Sequence, residues 1–295
     1  MRRSARSVRA WVTGRAMTPS SVDACSRTTP SAGRQSPGAS VYSEGRELHG
    51  LIPPPAALFR RNFRAVKSPQ QWARSVEEHP QLPAGTDERV SGYGVMAVPF
   101  ASGHVLGLRR WTANSVSDPF TSIWHRDPNG RWHFYETSQP SFACSRWFGD
   151  GTSGSTLSPI LLNWSSLTEL RIVAPGLVDW RVRMESSPVT RAMNAMSSAM
   201  PIAAWNSAPV LKMMGKMASR SLGSGRLGLT GVTSNGQRFK ANPYRIWRVA
   251  ESSAAIRGES AGVPAPLDEQ ARLGDFWLPQ QGIFAMGRVY MANSD

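Results

Sequence analysis

The chain has 295 residues, 40% of them hydrophobic and 9% aromatic, which is enough apolar material for a sizeable core. No run approaches the roughly 20 apolar residues of a membrane-spanning helix, which excludes a helical integral membrane protein. The two cysteines, Cys25 and Cys144, exclude a disulfide scaffold and a cysteine-cluster metal site. Walker, HExxH and GxSxG patterns are absent and no GxGxxG dinucleotide loop is expected, so no metal or cofactor is expected.

Lys plus Arg is 34 against 20 Asp plus Glu, a net charge of +14. The excess is uneven. Residues 1–67 hold twelve basic and three acidic side chains. Further on, acids stop at Glu185 and resume at Glu251, with nine basic residues between them. A basic stretch suits nucleic acid, an anionic membrane or an acidic ligand. Arg outnumbers Lys 30 to 4 beside many Ala, Gly and Pro, the signature of GC-rich codon usage. The basic residues are not interleaved with aromatics on a recognisable module, so nucleic acid is not an expected partner.

Residues 1–47 read as a disordered basic leader, rich in Ser, Arg, Pro and Gly and poor in large apolar residues. Its arginines flank no apolar core, so it is no secretory signal. It shares the Arg- and Ser-rich texture of a transit peptide; a start at Met17 or later is the favoured reading. The leader is expected to be dispensable for folding. Residues 48–89 read as a connector with short helices at Ala56–Val66 and Pro69–Glu78, the second stopped by His79-Pro80. Asp87-Glu88-Arg89 reads as a solvated loop.

Residues 90–295 read as one mainly β domain: an antiparallel barrel or barrel-like sandwich, interrupted by a helical insertion at 188–222. Strands are expected at Gly94–Phe100, His104–Trp111, Ile160–Trp164, Leu167–Val173, Val178–Glu185, Arg226–Thr233, Arg238–Val249 and Gly282–Met291. Val178, Trp180, Val182 and Met184 alternate with charged neighbours, a period of two with one buried face. Asn235-Gly236 marks one hairpin, and Asp127-Pro128-Asn129-Gly130 joins Thr121–Arg126 to Arg131–Thr137. In the insertion, Val189, Met193, Met196 and Met200 recur at helical spacing. A last helix is expected from Pro209 to Leu222, ended by Gly223. Val210, Met213, Met214 and Met217 give it an apolar face, and Lys212, Lys216 and Arg220 a basic stripe. Packing of the methionines on the sheet is favoured over a lid or a membrane-lying helix, and leaves room for a ligand beneath.

The 121–137 hairpin carries the candidate chemistry. A type I turn with a bulge at Gly130 sets Asp127 against Arg131, His125 against His133 and Ile123 against Tyr135. Trp124 and Arg126 then share the other face with Trp132 and Phe134. The histidine face is either a polar cluster in a pocket, with an imidazole for acid–base work, or the solvent side of an antiparallel sheet, the favoured reading. His104 offers a third ring toward zinc, the least favoured reading. Cys144 reads as a partly buried free thiol, and most of the eleven tryptophans as core.

Phe120-Thr121-Ser122-Ile123-Trp124-His125-Arg126, the Gly130-Arg131-Trp132 hairpin, and the strand from Gly225 through Asn235-Gly236 to Trp247 resemble the lipocalin-type barrel families, nearest the hydroxyneurosporene synthase (carotenoid hydratase)/AttH-like group. The resemblance implies a closed or nearly closed barrel holding apolar, lipid- or isoprenoid-like molecules. The acidic motif of the hydratases has no full match here and the 188–222 insertion is foreign to a plain lipocalin, so no catalytic residue transfers.

The leading expectation is a binder of a hydrophobic, lipid- or isoprenoid-like small molecule, with or without a carboxylate, in a β-barrel cavity, with Trp124, Trp132, Phe134 and Arg126 lining the site and Arg245 or Arg248 meeting a carboxylate. The alternative is a lyase, hydratase or isomerase on the same scaffold, using His125, His133 and Tyr135. A third reading is a peripheral membrane or interaction protein using the Lys212–Arg220 stripe. A cytoplasmic location is expected, with membrane association as its variant.

Overall fold

The structure is a computed structural model and describes residues 67–292; the leader and the expected Ala56–Val66 helix lie outside the described residues. In chain order the elements are α1 (Pro69–Glu78), β1 (Glu88–Val95), β2 (Val98–Pro99), β3 (Val105–Asn114), β4 (Phe120–Arg126) and β5 (Trp132–Glu136). Next come α2 (Ser145–Phe148), β6 (Ser155–Leu157), β7 (Leu161–Trp164), β8 (Glu169–Ala174) and β9 (Val178–Glu185). The helices α3 (Pro188–Ala199), α4 (Ile202–Trp205) and α5 (Ala208–Leu222) follow. The chain then forms β10 (Thr230–Val232), β11 (Arg238–Ile256), β12 (Glu259–Ser260), β13 (Arg272–Leu273), β14 (Phe276–Trp277) and β15 (Ile283–Met291).

Thirteen strands form one mixed sheet whose main path is β6-β5-β4-β3-β1-β15-β11-β9-β8-β7. Every pairing is antiparallel except β5 with β6. The fold is therefore mainly β with a helical insertion, as the sequence indicates. Hydrogen bonding does not close the sheet into the expected barrel: β6 and β7 are the two ends of the path. The sheet nevertheless curls. Trp164 on β7 has its ring 6.0 Å from Phe284 on β15, four strands away. In a flat sheet that spacing would approach about 19 Å.

Curling separates two cores. The enclosed face holds Tyr93, Leu106, Leu108, Ile123, Tyr135, Trp180, Val182, Met184 and Phe284, with Ala73 of α1 packed among them. The connector's second helix thus belongs to the domain. It forms as expected because Ser68 and Gln71 make a reciprocal capping box, with Pro69 at its start. The opposite face holds Trp111, Phe120, Trp124, Trp132, Phe134, Trp147, Phe148 and Phe239.

Asp87-Glu88-Arg89 is not a solvated loop. Glu88 opens β1, where its carboxylate takes Arg146 at 2.5 Å and the Trp147 indole N–H at 2.6 Å. Cys144 is free and buried. Among the described residues no helix is long and apolar enough to cross a membrane.

Candidate functional site

The 188–222 insertion folds as a helical hairpin over the second face. Ser187 caps α3, its Oγ accepting from Thr190 N at 3.1 Å and its own N–H donating back to Thr190 Oγ1. Asn194 then fixes α3 to the sheet. Its side-chain amide donates to Ile246 O (2.9 Å) and accepts from Ile246 N (2.8 Å), so it acts as a one-residue strand partner for β11. α5 ends at Gly223, whose φ of 61° lies in the left-handed region that glycine tolerates. The buried side of α5 is Leu211, Met214, Gly215 and Ala218; of the expected apolar face, Val210, Met214 and Met217 pack inward and Met213 points outward. Gly215 makes that closeness feasible, because a Cβ there would meet Leu227 O at 2.7 Å.

Beneath the hairpin lies a cavity of about 150 Å³ with almost wholly apolar walls. Met193 and Met196 of α3 and Met214 and Met217 of α5 form its roof. Ile246 of β11 and Ala285 of β15 form one wall, Phe276 and Trp277 another, and Trp111, Trp124 and Arg109 the floor.

Arg109 is the unusual member. On β3, Leu106, Leu108 and Arg110 face the enclosed core, while Val105, Arg109 and Trp111 face the second one. Arg110 meets Glu77 in a paired contact of 2.8 Å. Arg109 has no such partner. It is only 3% exposed, and it makes none of the ion pairs among the described residues. Its guanidinium donates to the carbonyls of Val95 (2.7 Å), Leu108 (2.8 Å) and Met96 (3.0 Å). It lies 4.5 Å from the Trp124 ring centre and 5.5 Å from that of Phe276. Burial lowers its pKa to about 10, which leaves it a cation at neutral pH. A buried cation held by dipoles and aromatic faces alone retains an unmet demand for an anion. Trp111 adds a buried indole N–H with no acceptor among the described residues. Cys144 also lines the floor; burial pushes its thiol up to about 11, so it is protonated and a poor nucleophile.

The 121–137 hairpin has the register its sequence requires: His125 lies opposite His133, Ile123 opposite Tyr135 and Trp124 opposite Phe134. Trp124 stacks on Phe134 at 4.8 Å and meets Trp132 edge-on at 6.5 Å. The aromatic face looks toward the cavity and the histidine face away from it. Consequently none of His125, His133 and Tyr135 lines the cavity. His125 Nε2 lies 3.0 Å from His104 Nδ1, and His133 Nε2 lies 2.8 Å from Thr156 Oγ1. Burial, then the adjacent His104, lower the His125 pKa to about 4. It is neutral at physiological pH and is not poised for acid–base work there. Among the described residues no three His, Cys, Asp or Glu side chains are placed to hold a metal.

The other expected ligand-binding residues divide. Trp124 forms floor, and Phe134 stacks behind it. Trp132 donates its indole N–H to Arg272 O at 3.1 Å, and with Arg126 borders a separate polar surface depression. Arg245 covers the Trp72 ring at 5.0 Å and donates to Tyr244 O and Asn194 O. Arg248 is exposed beside Glu185 at 4.0 Å. Neither arginine lines the cavity. Arg109 is not among the residues expected from the sequence. Its signal is the adjacent Arg109-Arg110 pair inside an otherwise apolar strand, which alternation must send to opposite faces. Gly223-Ser224-Gly225-Arg226-Leu227-Gly228 has the glycine spacing of a dinucleotide loop. It runs from helix α5 toward strand β10, the reverse of the strand-to-helix order such a loop needs.

No family model matches the chain, and no curated protein matches it significantly. Among solved structures, an acetoacetate decarboxylase shares 10% identity at a TM-score of 0.35, over 73% of this chain and 90% of that one. Acetoacetate decarboxylase from Legionella pneumophila shares 8% at 0.28, over 72% and 89%. Likeness at that level carries no argument about this chain's fold or activity.

Proposed function

We propose that the protein binds a small apolar molecule bearing a carboxylate or a similar anionic group in the cavity beneath α3 and α5. One observation carries this reading: Arg109 is a buried cation at an apolar cavity floor with no ion-pair partner among the described residues. A ligand carboxylate supplies a counter-charge and accepts from a guanidinium already desolvated, where charge-assisted hydrogen bonds are strongest. The apolar part of the ligand lies against Trp111, Ile246 and Ala285. A cavity of about 150 Å³ accepts a benzene-sized group without rearrangement. Longer, lipid- or isoprenoid-like chains are accommodated by the four roof methionines, whose unbranched side chains repack readily.

Within this proposal the curled sheet acts as a barrel-like, lipocalin-like scaffold that closes its own core and presents the ligand site on its other face. Catalysis by His125, His133 and Tyr135 is not part of it, because those side chains lie across the sheet from the ligand. The test is native mass spectrometry of the purified protein, followed by thermal shifts with hexanoate, octanoate and phenylbutyrate. A bound acidic apolar species, or a raised midpoint with these acids, is expected. No adduct and no shift with any acid would remove the proposal.

A further inference from the structure

The outer face of α5 has a second, separate character. At about 100° per residue, Lys212, Lys216 and Arg220 fall within one arc of about 80°, and Met213 and Met217 continue it by about 60°. All five are exposed; Met213 is 64% and Met217 39% accessible. The buried positions Leu211, Met214, Gly215 and Ala218 occupy the opposite arc. Arg191 is exposed on the companion helix α3. No acidic residue occurs in the sequence between Glu185 and Glu251, so neither helix of the hairpin carries a charge that would offset this one.

We infer that this face docks on an anionic membrane surface. Met213 and Met217 are exposed side by side along the edge of the cations, so an apolar strip and a basic strip adjoin on one helix face. A basic arc bordered by exposed methionines is the pattern of a helix lying in a headgroup layer, with its cations at the phosphates and its apolar edge just below. A nucleic-acid groove matches the cations but gives Met213 nothing apolar to enter. Met217 belongs both to the exposed arc and to the cavity roof, so docking places the edge of the apolar site against the apolar layer. The docking stands on the outer surface of α5 and does not depend on what the cavity binds.

The experiment is flotation of the full chain with vesicles of phosphatidylcholine alone or mixed with phosphatidylglycerol, at low and high salt. The wild type is expected to float with the anionic vesicles, and less so at high salt. Because residues 1–67 are also strongly basic, the decisive arms are variants that keep them. Replacing Lys212, Lys216 and Arg220 together by Gln is expected to weaken binding on the order of 100-fold, about five-fold per cation. Met213→Ser is expected to weaken it about ten-fold. All substituted side chains are exposed, and an unchanged thermal midpoint verifies folding. Failure of the wild type to float, equal flotation of the triple variant, or an unaffected Met213→Ser would each overturn the docking. None of these vesicles contains a free apolar acid, so failure here leaves the cavity proposal standing.

Discussion

His125 is expected to make stability depend on pH in a calculable way. Its ring is 8% exposed and lies 3.0 Å from His104 Nδ1. Only one of those two nitrogens can donate while the other accepts, so protonating both breaks the contact and charges a buried ring. Its pKa therefore falls from 6.5 to about 4 on folding. A depressed folded pKa means the unfolded chain takes the proton first. The contribution is complete above about pH 6.5 and is lost as pH falls toward 4. The full difference corresponds to about 3 kcal/mol, and about 2 kcal/mol of it disappears between about pH 7.5 and 5. Urea unfolding followed by tryptophan fluorescence at those two pH values measures it. In His125→Gln the extra loss of stability on acidification is expected to shrink by about 2 kcal/mol relative to wild type. An identical pH dependence in the two proteins would show that His125 is not held neutral by burial, and would return it to contention as an acid–base group.

Trp132→Ala is expected to cost about 3–5 kcal/mol, because it empties a buried site beside Trp124 and strips the acceptor Arg272 O of its indole donor; urea unfolding reads it, and a cost below about 1 kcal/mol would contradict the packing. His133→Ala, on the more open side of the same strand, is expected to cost much less in that assay. Gly215→Ala ordinarily favours a helix by about 1 kcal/mol. Here the added Cβ meets Leu227 O at 2.7 Å, so the substitution is expected to destabilise, with faster hydrogen exchange along α5; slower exchange would show that the hairpin is not packed this tightly.

What the sequence revealed follows the range of the forces involved. α1 matches the expected Pro69–Glu78, and α5 stops at Gly223, because caps and breakers act within a few residues. The β9 alternation and the 121–137 register were legible because a slip of one residue would turn Trp124 or His125 to the wrong face. Longer-range features were not. Glu88 looked like a loop residue because its partners, Arg146 and Trp147, lie nearly sixty positions away. The 19 residues of β11 form one strand because it serves β15 along one part and β9 along another, which no local pattern encodes. Sheet closure was overestimated because alternation reports a buried face and not whether the end strands meet. At the site, Trp124 was visible as a large aromatic at a buried position. Arg109 was not, because its burial without an ion-pair partner among the described residues is a property of the assembled cavity.

The claim that Arg109 receives an anionic head group is tested most directly by calorimetric titration of octanoate and methyl octanoate into the wild type and into Arg109→Met. The acid and its ester share the apolar chain and differ in charge, and Met keeps an unbranched stem while removing the guanidinium. A hydrogen-bonded charge contributes about 1.5–3 kcal/mol, so the wild type is expected to prefer the acid by about ten- to a hundred-fold. Arg109→Met, folded by circular dichroism, is expected to lose that preference while still accepting the ester. Equal affinity of the wild type for acid and ester, or an undiminished preference for the acid in Arg109→Met, would contradict the account.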